Sequence, residues 1–323
     1  MNPFTILGTA SNIFQLADIL WFYSLRPSDG YKKYQKGPQP YAVVTNATDG
    51  IGKSIAKDLY RKGFNVILHG RSEKKLRATV AEIKPLREGG FVESFVADGA
   101  GARVDYAGIM RRFGDLNITL LVNNVGETYP KRKKCGTIHC YHFYTDIEIR
   151  RTKKFEEWSE DDHLSFIKSN VLFPTLLTRA FLPSLRKTSL SHPVLVVFNG
   201  SVSPEFSVSD IPLYTATEAF AQQLSSSLSA DEKLTPGESK IEFMYLHRGS
   251  VQSSSTAKPG DSSRQTSDDY AAHLVNTFGS GRENVVPLAE DKIKRAVMGS
   301  LPDFIQQAVL KEEAKKVTHR GRG

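Results

Sequence analysis

The stretch Tyr214-Thr215-Ala216-Thr217-Glu218, with Ser201 thirteen residues before Tyr214, holds residue types that could reduce a carbonyl group. A phenol can give its proton to an oxygen on which negative charge develops, and a serine hydroxyl can orient and stabilise that oxygen. A lysine one helical turn after the tyrosine commonly completes such a site, because a nearby cation lowers a phenol pKa that is ordinarily about 10. Here that position holds Glu218. A negative charge there favours neutral Tyr214, which suits a resting proton donor and opposes the tyrosinate left by donation. Taken alone, a tyrosine early in a helix is packing and a lone serine is surface. The spacing, the β-branched run Val194–Phe198 before Ser201 and the helix after Tyr214 favour the catalytic reading.

A second stretch could hold a nucleotide. Thr45-Asn46-Ala47-Thr48-Asp49-Gly50-Ile51-Gly52 lies between an apolar run and a helical pattern. The free N–H groups and partial positive charge of a helix N-terminus bind a pyrophosphate. Gly50 and Gly52 permit close backbone approach, although only two glycines remain of the general fingerprint, so a plain tight turn is the competing reading. Beyond the second apolar run stands Arg71, with Lys74 and Lys75 close behind. A cation there accepts a ribose 2′-phosphate, where an acid would bind the 2′-hydroxyl, so a dinucleotide would be NADP(H) rather than NAD(H).

These residues need a scaffold, and the chain from 41 to 310 reads as one. Strands are expected at Tyr41–Thr45, Asn65–His69, Phe91–Ala97, Thr119–Asn123, Val194–Phe198 and Ile241–Leu246. Between the first pair, Ile51, Ile55 and Leu59 recur on one helical face and Gly63 ends the helix. Ser72 can cap a helix carrying Leu76, Val80 and Ile83. Strands alternating with helices predict an α/β fold, a Rossmann-type doubly wound parallel sheet with helices on both faces.

The flanks differ in character. Residues 3–25 are apolar but include Asn12, Gln15 and Asp18, each costly at a bilayer centre. Ile13, Leu16, Leu20 and Tyr23 fall near helical spacing, so the readings are a membrane-surface helix, a helix packed on its own or a partner subunit, and, less favoured, a true span. A Pro- and Gly-containing linker over 26–40 follows. Residues 127–154 form a polar, basic insert longer than ordinary connections. It contains Cys135, His139, Cys140 and His142, whose spacing lacks the paired separation of structural zinc sites, so no metal is expected. Residues 250–268, rich in Ser, Thr, Pro and Gly, read as a mobile segment covering a ligand. Residues 311–323 form a basic tail.

The net charge of +8, from 43 basic and 35 acidic side chains in 323 residues, gathers partly in Lys131–Lys134 and Arg150–Lys154. Runs of this kind read first as solvated loops, and second as a surface for an anionic cofactor, acyl-CoA or a membrane; without an aromatic-interleaved basic face they give no nucleic-acid surface. Two cysteines exclude a disulfide framework and fit a reducing compartment.

Several motifs occur in one order: Thr45…Gly50-Ile51-Gly52, Asp98 after the third strand, Asn123-Asn124-Val125-Gly126, Asn170, Ser201 and Tyr214. Together they resemble the short-chain dehydrogenase/reductase family over about residues 41–255. The wording Val43-Val44-Thr45…Asp49-Gly50-Ile51-Gly52-Lys53 and Leu121-Val122-Asn123-Asn124-Val125-Gly126 is similar to its 17β-hydroxysteroid dehydrogenase and very-long-chain 3-ketoacyl-CoA reductase branch.

The resemblance implies NADP(H) held by Thr45, Asn46, Asp49, Gly50, Ile51, Gly52, Arg71, Asp98, Asn124, Val125, Gly126, Tyr214 and Val251. Catalytic roles fall to Tyr214, Ser201, Asn170 (holding a relay water) and Glu218 at the lysine position. It implies reduction of a ketone on a lipophilic substrate, a 3-ketoacyl chain, steroid or natural-product ketone. It also implies endoplasmic reticulum membrane association, with a cytoplasmic location as the other reading, and a homodimer through the long helices flanking Ser201 and Tyr214. Asn46 replaces the first loop glycine, Arg248-Gly249 replaces Pro-Gly, and Glu218 replaces lysine. The last departure keeps a second reading open, a dinucleotide-binding homologue with impaired turnover. The insert 127–154 is longer than this position carries in the family, and its composition fits a read-through intron. Sequencing the transcript is expected to give a mature message without it; a message that retains it overturns the idea.

Overall fold

The computed structural model describes residues 14, 16–101, 103–124, 154–205, 211–234, 240–249 and 265–310. Seven parallel strands form one sheet: β1 (Tyr41–Val44), β2 (Asn65–Gly70), β3 (Val92–Val96), β4 (Ile118–Asn123), β5 (Val194–Asn199), β6 (Ile241–Leu246) and β7 (Asn284–Val285), ordered β3-β2-β1-β4-β5-β6-β7. The runs β1, β2, β4 and β5 are buried along their whole length, as parallel strands covered on both faces must be. Successive residues serve opposite faces: Ala42 and Val44 join one core, Tyr41 and Val43 the other.

The helices are α1 (Gly50–Arg61), α2 (Glu73–Ile83), α3 (Tyr106–Phe113), α4 (Glu160–Ile167), α5 (Phe173–Ser189), α6 (Pro212–Leu234), α7 (Ser267–Asn276) and α8 (Ala289–Gly299). Ile55 and Leu59 of α1 pack with Tyr270 and Leu274 of α7 on one face. Leu177, Phe181 and Leu185 of α5 pack with Ile109 and Phe113 of α3 on the other. Asp49 caps α1 by accepting from Gly50 N–H at 2.7 Å, and Ser72 caps α2 by accepting from Lys75 N–H at 3.4 Å. After α1 the chain turns through Gly63 at φ +105°, a conformation open to glycine. The sheet, the expected helices and the doubly wound class are all present. β7 was not expected, because two residues show no periodicity.

The N-terminal flank differs from the sequence reading. Leu16 and Leu20 are 67% and 57% exposed, while Phe22 is buried and Tyr23 half-buried. The expected face of Leu16, Leu20 and Tyr23 is therefore split. A π-turn at Trp21–Leu25 rotates the aromatic pair inward. There the Tyr23 hydroxyl donates to Val286 O at 2.7 Å, and Arg282 both pairs with Asp18 and stacks 4.2 Å from the Phe22 ring. Asp18 thus serves a protein contact. Among the described residues no helix is long and apolar enough to cross a membrane.

The 26–40 linker is likewise fastened down. Tyr34 is wholly buried, with its hydroxyl 3.0 Å from Glu242, and Asn117 Nδ2 donates to Lys36 O and Pro38 O at 3.0 Å each. The insert 127–153, the bulk of 250–268 and the tail 311–323 lie outside the described residues, as do Cys135, His139, Cys140 and His142.

Asn46 follows β1 at φ +49°, a left-handed conformation that asparagine tolerates better than other side chains and β-branched residues resist. Asn46→Gly should leave the denaturant midpoint almost unchanged, and Asn46→Val should cost about 1–2 kcal/mol in the same unfolding experiment.

Candidate active site

The strand order reverses between β1 and β4, and the segments that follow them pack on opposite faces of the sheet. Ligands of open α/β sheets bind in the crevice this creates at the carboxyl ends. Thr45, one residue past β1, accepts the Asn124 N–H at 2.8 Å on its hydroxyl. Asn124 Oδ1 accepts from Asn199 Nδ2 at 2.6 Å, so three strand ends are tied in a row.

His69 of β2 steadies the turn from the other side. Its Nε2–H donates to Ala97 O at 3.0 Å, leaving Nδ1 to accept the Asn46 N–H at 3.2 Å. That arrangement requires the neutral ring, and burial lowers its pKa to about 4. A Cβ at Gly52 would come within 2.3 Å of Asn46 O and 2.5 Å of Asn124 Nδ2. Only glycine lets the first turn of α1 sit this close to the strand ends, and this cradle fits a pyrophosphate against the helix N-terminus.

One strand further on, the chemistry-bearing residues converge. Ser201 lies two residues past β5, Tyr214 in the first turn of α6, and Glu218 one turn later. Asn170 sits in a π-turn, Lys168–Leu172, between α4 and α5, a local irregularity common at functional sites. All four are buried. Ser201 acts on Tyr214 in the direction that favours its ionised form, and its Oγ accepts the Ser203 N–H at 3.1 Å.

Tyr245 of β6 completes the floor. Its hydroxyl accepts the Ser201 N–H at 3.0 Å and has one proton for either Ser201 O at 3.0 Å or Glu218 Oε2 at 3.2 Å. Gly200 makes room for this ring: a Cβ there would lie 2.2 Å from Tyr245 Cζ. Arg248, beyond β6, donates from Nη2 to the Tyr214 hydroxyl at 3.4 Å and from Nε to Gly200 O at 3.3 Å. A cavity of about 10 Å³, space for one water, is lined by Asn123, Asn170, Asn199 and Glu218 among others.

Burial dominates the electrostatics. It raises Tyr214 well above the usual phenol range; Glu218 acts in the same direction, and Arg248 and Ser201 oppose. It also pushes Glu218 up to about 7, against the lowering effects of Arg248, Tyr245 and Tyr214. At neutral pH a large share of Glu218 is the uncharged acid. The charge reversal in the sequence is therefore partial in the folded protein, which corrects the expectation of a full negative charge beside Tyr214.

The structure brings Thr45, Asn46, Asp49, Gly50, Ile51, Gly52 and Asn124 into one turn cluster and Asn170, Ser201, Tyr214 and Glu218 into another. Arg71 and Asp98 are exposed past the ends of β2 and β3. Val125, Gly126 and Val251 lie outside the described residues. His69 and Tyr245 gave no sequence signal beyond apolar strand neighbours. Arg248 stood out only as a departure from Pro-Gly.

Together these features define a dinucleotide-type α/β site with a serine and tyrosine beside it. A family model described as short chain dehydrogenase matches residues 40–262, and the chain belongs to that family. A very-long-chain 3-oxoacyl-CoA reductase of Kluyveromyces lactis is 28% identical over 222 residues, 68% of this chain and 58% of that protein. The chain thus spans about three fifths of the length of the yeast reductase. The human protein named inactive hydroxysteroid dehydrogenase-like protein 1 is 29% identical over 190 residues, 58% of this chain and 50% of that one. Among solved structures, a short-chain dehydrogenase from Sphingobium yanoikuyae in complex with NADPH superposes with TM-score 0.61 at 20% identity, covering 81% of this chain and 96% of that one.

Glu218 makes a prediction about stability. Its folded pKa of about 7 lies above the ordinary 4.5, so folding favours the neutral acid. The benefit is complete below pH 4.5 and is lost as the pH rises through 7. Relative to Glu218→Gln, which cannot ionise, the native protein should lose about 3 kcal/mol across that window. Urea unfolding of both proteins between pH 4.5 and pH 8 checks this, and parallel curves would refute it.

Proposed function

We propose that this protein is an NADP(H)-dependent reductase of a ketone on a lipophilic molecule: a 3-ketoacyl chain, a steroid or a natural-product ketone. The observation that carries the reading is that buried Ser201 and Tyr214 stand together, Tyr214 linked through Arg248 to the Gly200 carbonyl next to Ser201, beside the turn cradled by Gly52 and Asn124. The bound nicotinamide would supply hydride to the carbonyl carbon. Thr45, Asn46, Asp49, Gly50, Ile51, Gly52 and Asn124 would hold the dinucleotide, and the family pattern adds Val125, Gly126 and Val251 to that role. Asp98 would meet the adenine, and Arg71 the 2′-phosphate. The name of the yeast reductase relative supports the substrate class.

Tyr214 gives its O–H proton to the carbonyl oxygen, and Ser201 orients that oxygen. Glu218, one helical turn after Tyr214, can return a proton to the phenolate while it is itself protonated. Asn170 and the one-water cavity beside Glu218 offer a path for resupply. Exposed Phe14, Leu16, Leu20, Trp21 and Leu25 support attachment to a membrane surface, where lipophilic substrates partition.

The second reading is a homologue that binds the dinucleotide without turnover. The acid at the lysine position and the relative named inactive favour it. Fluorescence titration with NADPH, together with NADPH oxidation across a ketone panel, separates the two. If Glu218→Lys turns substrate over and the native protein does not, the reductase reading fails.

Three outcomes are expected of an active enzyme. Tyr214→Phe lowers kcat at least about 100-fold with NADPH affinity kept. Arg71→Ala weakens NADPH binding about tenfold or more and leaves NADH binding unmoved. The reduction rate falls as pH rises through about 7, where Glu218 ionises, and Glu218→Gln flattens that limb.

A further inference from the structure

The geometry around Tyr214 separates two roles that one lysine would combine. We propose that Arg248 supplies the cation facing the Tyr214 hydroxyl, delivered from the end of β6 instead of from the helix that carries the tyrosine. The proposal deepens the reductase reading and rests on it for its catalytic meaning.

Two contacts of the guanidinium lie at the site. Nη2 donates to Tyr214 Oη at 3.4 Å and Nε to Gly200 O at 3.3 Å. Arginine offers donors only and keeps its charge at every working pH. A donor onto the phenol oxygen leaves that group's own proton free to point elsewhere, and the fixed charge favours the tyrosinate formed when the proton leaves. Gly200 is confined by the Tyr245 ring, so the carbonyl that anchors Nε belongs to a backbone with little freedom. Arg248 itself is half-buried, which weakens solvent screening of its charge.

Glu218 occupies the opposite role. Among the described residues, the titratable or charged groups that act on it are Tyr214 on its own helix, Tyr245 on β6 and Arg248 past β6. The ends of β4 and β5 and the π-turn bring Asn123, Asn199, Ser201 and Asn170, none of which titrates. The two departures from the family pattern at 218 and 248 are thus parts of one arrangement, with a carboxyl on the helix and a cation across from it.

The test compares Arg248→Gln and Arg248→Lys with the native protein, in two readouts. In NADPH-dependent ketone reduction followed against pH, Arg248→Gln should lower kcat on the order of 100-fold and leave NADPH affinity within about threefold. Arg248→Lys should recover at least a tenth of native kcat and the native pH profile. Equal losses in both variants, or a loss confined to KM, would show a structural role and overturn the proposal. The second readout needs no turnover. Carbon-13 NMR of the Glu218 carboxyl, assigned with Glu218→Gln, should show its titration moved upward by about one pH unit in Arg248→Gln and held in Arg248→Lys. An unmoved titration sinks the proposal. A native protein that binds NADPH, reduces no ketone and shows the shifted titration would instead end the reductase reading while keeping the cation assignment.

Discussion

The site depends on one topological constraint, the reversal of strand order between β1 and β4. Chain leaving β1 enters α1 on one face, and α5, which follows β4, packs on the other, so these two helices diverge and leave a crevice above the strand ends. Among the described residues, neighbouring strand ends there are tied by short hydrogen bonds. The sequence of contacts from Ala97 through His69 and Asn46, and from Thr45 through Asn124 to Asn199, spans β3 to β5 along the carboxyl edge. Gly52 then brings the helix against this edge, where an added Cβ would collide with both Asn46 and Asn124.

Burial on that edge sets the chemistry next to it. A carboxylate in water would carry full charge at neutral pH, and the sequence alone gives no reason to expect otherwise. Buried beside Tyr245, Glu218 loses most of its solvation, which brings the neutral acid and the anion to comparable free energy near neutral pH. The same desolvation raises both phenols. Arg248 is the counterweight: it favours the anionic form of each of Glu218 and Tyr214, and its own charge never leaves.

The fold was legible because its signals are local. Val194–Phe198 is β-branched and entirely buried, and Ile51, Ile55 and Leu59 fall on one helical face that meets α7. The cofactor turn and the Ser201–Tyr214 pair were legible through spacing. Three features were not. The inward turn of Phe22 and Tyr23 comes from a π-turn and from Arg282, more than 250 residues away, which no helical wheel contains. His69 and Tyr245 sit in strands, where an apolar reading of alternate residues hides a polar role. Arg248 stands 34 residues from Tyr214, so a single sequence presents two separate oddities where the fold presents a contact.

That contact changes what the glutamate means. With lysine at 218, the cation would ride on the same helix as the tyrosine, fixed by helical geometry. With glutamate there, a cation from the helix is lost, but a loop beyond β6 lies across the same phenol and can carry one. Proline at 248 could not do so, since it bears no charge. An arginine can, because its length reaches the Tyr214 hydroxyl while Nε remains on Gly200 O. In its protonated form Glu218 then adds a proton to the site in place of a second charge. On physical grounds, the charge at 218 is a poor guide to activity without the residue at 248, and the two positions have to be judged as a pair.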